Sequence, residues 1–268
     1  MIPGAAIKLS VGFGGGFWEV PVLFEDDHLL ALDKPAGLLT SPDPESPQQP
    51  SLLKLLHAGI AESKPWALQG GLQYVMNAHR LDFETSGVIL FARSKEVLLR
   101  LADLFGSEKP INSCVALVRG APKQETFTID AALGPHPGKP GFMRIDTKDG
   151  KRSRTSFVIL ERFAGYALVK CQPLTSRTHQ VRVHLQRAGL PVVADPMYGG
   201  GALFLSQLKR GYRARKGGPE HPLIGRVALH AERVELPHPV GGGMLAISAP
   251  WPKDLTVAVK YLRLFASR

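Results

Sequence analysis

The chain has few cysteines, a deficit of acid and no long apolar run. Its two cysteines, Cys114 and Cys171, lie outside any CxxC or Cys/His cluster, which argues against a zinc site and against a disulfide framework. No apolar stretch approaches the roughly 18 residues that a bilayer-spanning helix needs. The opening MIPGAAIKLSVGFGGGF lacks the charged-then-apolar pattern of a signal peptide, so a reducing, cytoplasmic setting is expected. Asp and Glu number 23 against 33 Lys and Arg, a net charge of +10. That balance suits a polyanionic partner, RNA or DNA first, although a merely soluble basic surface would have the same sum. With 268 residues, 44% apolar and 21% charged, the chain can bury a sizeable core and has ordinary globular composition.

Residues 1–18 are Gly-rich. The run Gly12, Gly14, Gly15 and Gly16 superficially resembles a phosphate loop, but it follows no convincing strand and opens no helix. A flexible extension over residues 1–19 is the expectation. Val20–Phe24 and Leu29–Leu32 read as strands around the turn Glu25-Asp26-Asp27. Ser51 is placed to cap a helix over Leu52–Ala61, and Ser94 one whose Leu98, Leu101, Leu104 and Phe105 have helical spacing. Strands are expected at Val88–Ala92, Val115–Val118, Thr155–Leu160, Tyr166–Val169, near Val227–Leu236 and at Met244–Ser248. Helices are expected from about Thr178 to Ala188, stopped by Gly189, and over Leu255–Phe265, with a polar basic loop from Gly199 to about Arg226. Strands and helices interleave, yet several strand pairs are joined by short turns. This favours an α+β fold with a mostly antiparallel mixed central sheet flanked by helices, and a single catalytic domain over residues 20–268.

The most demanding stretch is NAHRLDFETSGVILFARSK, Asn77 to Lys95. It sets His79, Arg80, Asp82, Glu84 and Thr85 directly against an apolar run, and half-buried charge is costly unless paired or used. On spacing alone an Asp before Thr-Ser-Gly reads as a turn or capping residue. Asp82 and Glu84 could also be read as a glycosidase acid/base pair. His79, His179 and His184 lack helical His-x-x-x-His spacing with an acid in place, so no metal is expected. The run LKRGYRARKGG, 208–218, interleaves Tyr212 with Lys209, Arg210, Arg213, Arg215 and Lys216. It is either a solvated loop or one that binds phosphates, and in a basic protein the second is favoured.

HRLDFETSGVILFARSK resembles the signature of the RluA-type pseudouridine synthases: His-Arg-Leu-Asp, two variable residues, Thr-Ser-Gly, then an apolar strand. Four further segments resemble that family in the same order: EDDHLLALDKPAGLL (25–39), ALVRG (116–120), SRTHQVRVHLQRAGLPVVADPMYGG (176–200) and ALHAERVELPHP (228–239). The resemblance implies an active-site cleft across the sheet and conversion of chosen uridines in ribosomal or transfer RNA to pseudouridine, with no cofactor, no metal and no membrane association. It implies that Asp82 is the catalytic carboxylate, either attacking C1′ or taking a proton from C2′. Arg182 matches the arginine that pairs with it, and Arg80 the one that enters the gap left by a flipped base. Thr85, Ser86 and Gly87 would form a turn aiming Asp82 outward. His79 and His179 would touch phosphate or ribose, or serve the turn and core. Arg177 would join the substrate-binding set.

Two positions depart from the pattern. Cys114 stands where the family has a tyrosine lying against the target base, and a thiol cannot stack like a ring. Ser176 replaces the glycine usual before Arg177. About 20 residues precede the first matching segment, too few for the ribosomal-protein-S4 type of RNA-binding domain, so the catalytic domain, expected as a monomer, would hold RNA by itself. The alternative reading is a non-catalytic RNA-binding or RNA-folding factor that retains the synthase fold. Cys114 favours it; Asp82, Arg80 and Arg182 speak against it.

Overall fold

A computed structural model describes residues 5–11, 16–212 and 218–267. The chain forms two compact units, one from residues up to Asn112 with Ala231–Pro250, the other from Ser113–His230 with Trp251 onward. The architecture is α+β and mostly antiparallel.

The first unit contains β1 (Ala6–Ser10), β2 (Phe17–Glu25), β3 (Leu29–Lys34), α1 (Leu52–Ala61), α2 (Pro65–Gln69), β4 (Met76–Asn77), β5 (Ser86–Ala92) and α3 (Lys95–Gly106). β1 pairs antiparallel with β2, β2 with β3, and β3 with β5. β5 is buried along its whole length, and the two-residue period of a strand explains why it reads as a smooth apolar run. Ile89 and Phe91 enter one core with Leu30, Leu32 and the α1 leucines, whereas Val88, Leu90 and Ala92 enter a second core with Leu29, Ala31 and Val97 and Leu101 of α3. Both helices start at the expected caps: the hydroxyls of Ser51 and Ser94 accept from the N–H of Lys54 and Val97.

The expected flexible extension is corrected at residues 6–10, which form β1. Ile7 and Leu9 alternate with exposed neighbours and are buried in the first core, so this segment has apolar burial to offset its ordering. Gly12, Gly14 and Gly15 lie outside the described residues.

The second unit contains most of β6 (Ile111–Arg119), then β7 (Thr126–Asp130), β8 (Leu133–Pro135), β9 (Met143–Ile145), β10 (Arg154–Phe163), β11 (Tyr166–Pro173), α4 (Gln180–Arg187), a 3-10 turn over Pro196–Tyr198 and α5 (Leu205–Leu208). β6, β11, β10 and β7 are successive antiparallel neighbours, and β8 pairs with β9 as a separate hairpin. β12 (Leu229–Pro237) and β13 (Met244–Ser248) return the chain to the first unit, where they pair antiparallel, before α6 (Lys253–Phe265) closes the second. Val181 and Leu185 of α4 and Leu255, Ala258, Val259 and Leu262 of α6 share one core with β6, β10 and β11. No described helix is long and apolar enough to cross a membrane.

Candidate active site

In the first unit the chain around Asp82 is fixed on both sides by hydrogen bonds to its backbone groups. Leu81 donates its N–H to Thr40 Oγ1 at 3.1 Å, and its carbonyl accepts from the same hydroxyl at 3.0 Å. The Phe83 carbonyl accepts from Gly37 N–H at 2.8 Å and from Lys34 Nζ at 3.5 Å. The Asp82 carbonyl accepts from Thr85 N–H at 3.1 Å, closing a four-residue turn. Lys34 is fully buried and also donates to the carbonyls of Pro35, at 2.9 Å, and Leu38, at 2.7 Å. The segment after β3 is thereby tied to the Asp82 turn. Asp82 itself is half-buried, a setting that keeps a carboxylate partly desolvated and reachable.

The turn differs from the expected one. It spans Asp82–Thr85, whereas Ser86 and Gly87 already belong to β5. The cause is close packing. Gly87 has φ +119°, and a Cβ there would overlap the Ala231 backbone, so the strand starts early and only glycine fits at its second position. The buried Thr85 hydroxyl has no hydrogen-bond partner among the described residues.

His79 has a structural role in this unit. Its Nε2 accepts from the Leu90 N–H at 3.1 Å and its ring lies 5.1 Å from that of Phe105. Burial pushes its pKa down to about 4, so the ring is neutral at pH 7 and the accepting nitrogen stays unprotonated. Arg80 is exposed.

In the second unit, Arg182 is 1% and Asp195 0% exposed, and they form a two-point ion pair. Arg182 Nε and Nη2 donate to the two Asp195 oxygens at 2.7 and 2.9 Å. Asp195 also caps the 3-10 turn through Met197 N–H, at 3.2 Å. The guanidinium carbon sits 5.1 Å from the centre of the Tyr198 ring. The Tyr198 hydroxyl accepts from Met143 N–H at 2.9 Å and bonds His179 Nδ1 at 2.7 Å. His179 precedes α4 with a left-handed φ of 54°. Asp195, which meets Arg182 at two points, has as its only signal in the sequence its place in ADPMYGG, within a matching segment. Lys34 and Thr40 escape sequence reading for the same reason: their chemistry exists only once the chain has folded.

Arg177 is exposed, donating Nε to the Arg152 carbonyl at 3.2 Å and Nη1 to that of Ser176 at 3.1 Å. Cys114 is half-buried on β6, packed against the core. Lys209 and Arg210 are exposed, whereas Arg213, Arg215 and Lys216 lie outside the described residues. The structure thus groups His79, Arg80, Asp82 and Thr85 in one unit, and Cys114, Arg177, His179, Arg182, Lys209 and Arg210 in the other. No cluster of metal-ligating side chains occurs among the described residues.

Comparison with known proteins gives these parts a family. The sequence model for RNA pseudouridylate synthase matches residues 28–187. The ribosomal large subunit pseudouridine synthase D of Xanthomonas campestris is 33% identical over 263 residues, covering 92% of this chain and 70% of the relative. The ribosomal large subunit pseudouridine synthase C of Escherichia coli K12 is 33% identical over 244 residues, covering 90% and 70%. In fold, the chain is similar to human RNA pseudouridylate synthase domain containing 4, with a TM-score of 0.67 at 21% identity over 90% of this chain and 92% of that one. The human domain containing 1 protein gives 0.63 at 24%, covering 93% and 96%. The chain belongs to the RNA pseudouridylate synthases, RluA type, isomerases that act on RNA.

Proposed function

We propose that this protein isomerises selected uridines to pseudouridine in ribosomal RNA, with transfer RNA as the alternative, and that Asp82 carries the chemistry. The observation that supports this most is the fixed turn: a half-buried carboxylate whose backbone is bonded through Leu81, Phe83 and its own carbonyl. Such a turn holds a reacting group in place without reorganisation. The isomerisation breaks the C1′–N1 bond, turns the base and joins its C5 to C1′. Asp82 serves as nucleophile at C1′ or as base at C2′. Arg182, preoriented by Asp195, is the second catalytic residue, and exposed Arg80 fills the stack vacated by the flipped uridine. Arg177, His179, Thr85 and Cys114 belong to the substrate-binding set, and His79 supports the turn. The exposed cations Lys209 and Arg210, with Arg213, Arg215 and Lys216, hold phosphates. Residues 20–268 act as one catalytic domain, without cofactor or metal, as a cytoplasmic monomer. Ribosomal RNA is placed first because the relatives named above are ribosomal large subunit enzymes.

The test is a map of pseudouridines in total RNA from cells with and without the protein, repeated with purified protein on unmodified transcripts. The expected result is loss of one or a few sites in ribosomal RNA and their restoration in vitro. Identical maps would overturn the proposal and favour the non-catalytic RNA-binding reading that Cys114 suggests.

A further inference from the structure

Cys114 and Cys171 are directly opposed on neighbouring strands β6 and β11. The spacing of this pair follows from the ladder. Gly120 N–H bonds the Gly165 carbonyl at 2.8 Å, one step past the paired register. The odd-numbered residues of β6 bond away from β11: Leu117 N–H to Ala228, Arg119 N–H to Pro191, and the Leu117 carbonyl to Val193 N–H. Even-numbered residues therefore face β11 with their backbone groups, and Cys114–Cys171 is a hydrogen-bonded pair. In antiparallel sheets such pairs have Cα atoms about 5.5 Å apart, inside the roughly 4.4–6.8 Å that a disulfide spans, while their Cβ atoms lie at the wide end of about 4.5–5.5 Å, so closing the bridge draws the strand ends together. Directly opposed side chains project from the same face, and both sulfurs meet the same core. The pair is the last matched one of this ladder, where a cross-link has slack on one side. Neither cysteine is in a disulfide in this structure.

We propose that Cys114 and Cys171 are a modification site, a thiol pair that a hydroperoxide converts to a cross-strand disulfide. Half-buried Cys114 reacts first. Its thiolate attacks the peroxide, the O–O bond breaks, an alcohol or water leaves, and Cys114 becomes a sulfenic acid. The Cys171 thiol then attacks the sulfenic sulfur, the S–O bond breaks and water departs with the thiol proton. Peroxide is reduced by two electrons and the two thiols are oxidised by two. Burial and the neighbouring Cys114 push the Cys171 thiol well above its ordinary pKa, which keeps it protonated and slow toward peroxide, so Cys114 is the thiol oxidised first. This is a reversible local pair, distinct from a structural disulfide framework. Its consequence for activity rests on the proposed place of Cys114 in the substrate site: the bridge removes that thiol from the pocket.

The test treats the full-length protein with dilute hydrogen peroxide, then denatures, alkylates and weighs it. The expected product is a monomer lighter by two hydrogens that takes up no alkylating agent and regains both thiols with dithiothreitol. Cys171→Ser should stop at an oxygen adduct on Cys114, and Cys114→Ser should keep Cys171 alkylatable. Two alkylated thiols in the treated wild type, oxygen addition without loss of hydrogen, or a bridge between molecules would each overturn the proposal. Synthase rate is read on the same samples and should fall severalfold on oxidation and recover on reduction. A bridge that forms with unchanged rate upholds the modification and overturns the assignment of Cys114 to the substrate site.

Discussion

Arg182 and Asp195 put two charges almost wholly out of water, and such a pair is tolerated because each meets the other at two points. Lysine at position 182 keeps the charge but offers a point contact, so one Asp195 oxygen loses its bond. Arg182→Lys is expected to lower stability by about 1–3 kcal/mol and to slow single-turnover pseudouridine formation, with RNA affinity little changed. Urea unfolding and single-turnover kinetics check this; a variant equal to wild type in both would mean the two-point fork is not what orients the arginine. His79 gives a pH test. Its folded pKa of about 4 lies below the ordinary 6.5, so the unfolded chain binds more protons between these values. Its stabilising contribution is present above about pH 6.5 and is lost as pH falls toward 4, by at most about 3 kcal/mol. Burial lowers the pKa of His184 as well, in the same direction. His79→Gln, whose amide oxygen can still accept from Leu90, should therefore flatten the acid side of the stability profile without abolishing it. An unaltered profile would contradict the neutral ring that accepts from Leu90. At this scale the resemblance of their segments is what singles out Asp82, Arg80 and Arg182 for these tests. Asp195 and Lys34 were not legible, because a buried charge looks like a surface charge until its partner is known.

Elements whose periodicity met a clear cap were legible. The helices after Ser51 and Ser94 begin at the predicted residues, and the apolar run at Val88–Ala92 is the buried strand its composition implies. β1 was hidden because only Ile7 and Leu9 carry its alternation, next to a Gly-rich run. β7, β8 and β9 were hidden because their exposed or half-buried residues carry little apolar signal. β5 begins at Ser86 because Gly87 allows the Ala231 backbone to approach. Gly87→Ala is expected to cost several kcal/mol, since it adds a strained positive φ to an overlap with backbone that cannot give way. The Asp82 turn would shift with the strand end. Thermal unfolding should show a large fall in Tm and kinetics a loss of activity; an alanine variant as stable as wild type would contradict the close approach.

At the scale of the whole molecule, the excess of ten positive charges was legible from composition, and its use is a matter of electrostatics rather than sequence reading. Neutralising Lys209, Arg210, Arg213, Arg215 and Lys216 together should weaken binding to every RNA by a similar factor. It should also flatten the dependence of log affinity on log salt by roughly 0.7–0.9 for each phosphate that is no longer neutralised. An unchanged slope would make these five a solvated loop. The central claim, that the Asp82 carboxylate on its fixed turn performs the isomerisation, is tested most directly by Asp82→Asn. The amide is nearly isosteric but can act neither as nucleophile nor as base, and removing a carboxylate should not weaken the hold on polyanionic RNA. Pseudouridine formed in a single turnover, measured beside a filter-binding constant, should fall to background while affinity stays at or above wild type. Pseudouridine made at the wild-type rate by the asparagine variant would contradict the account.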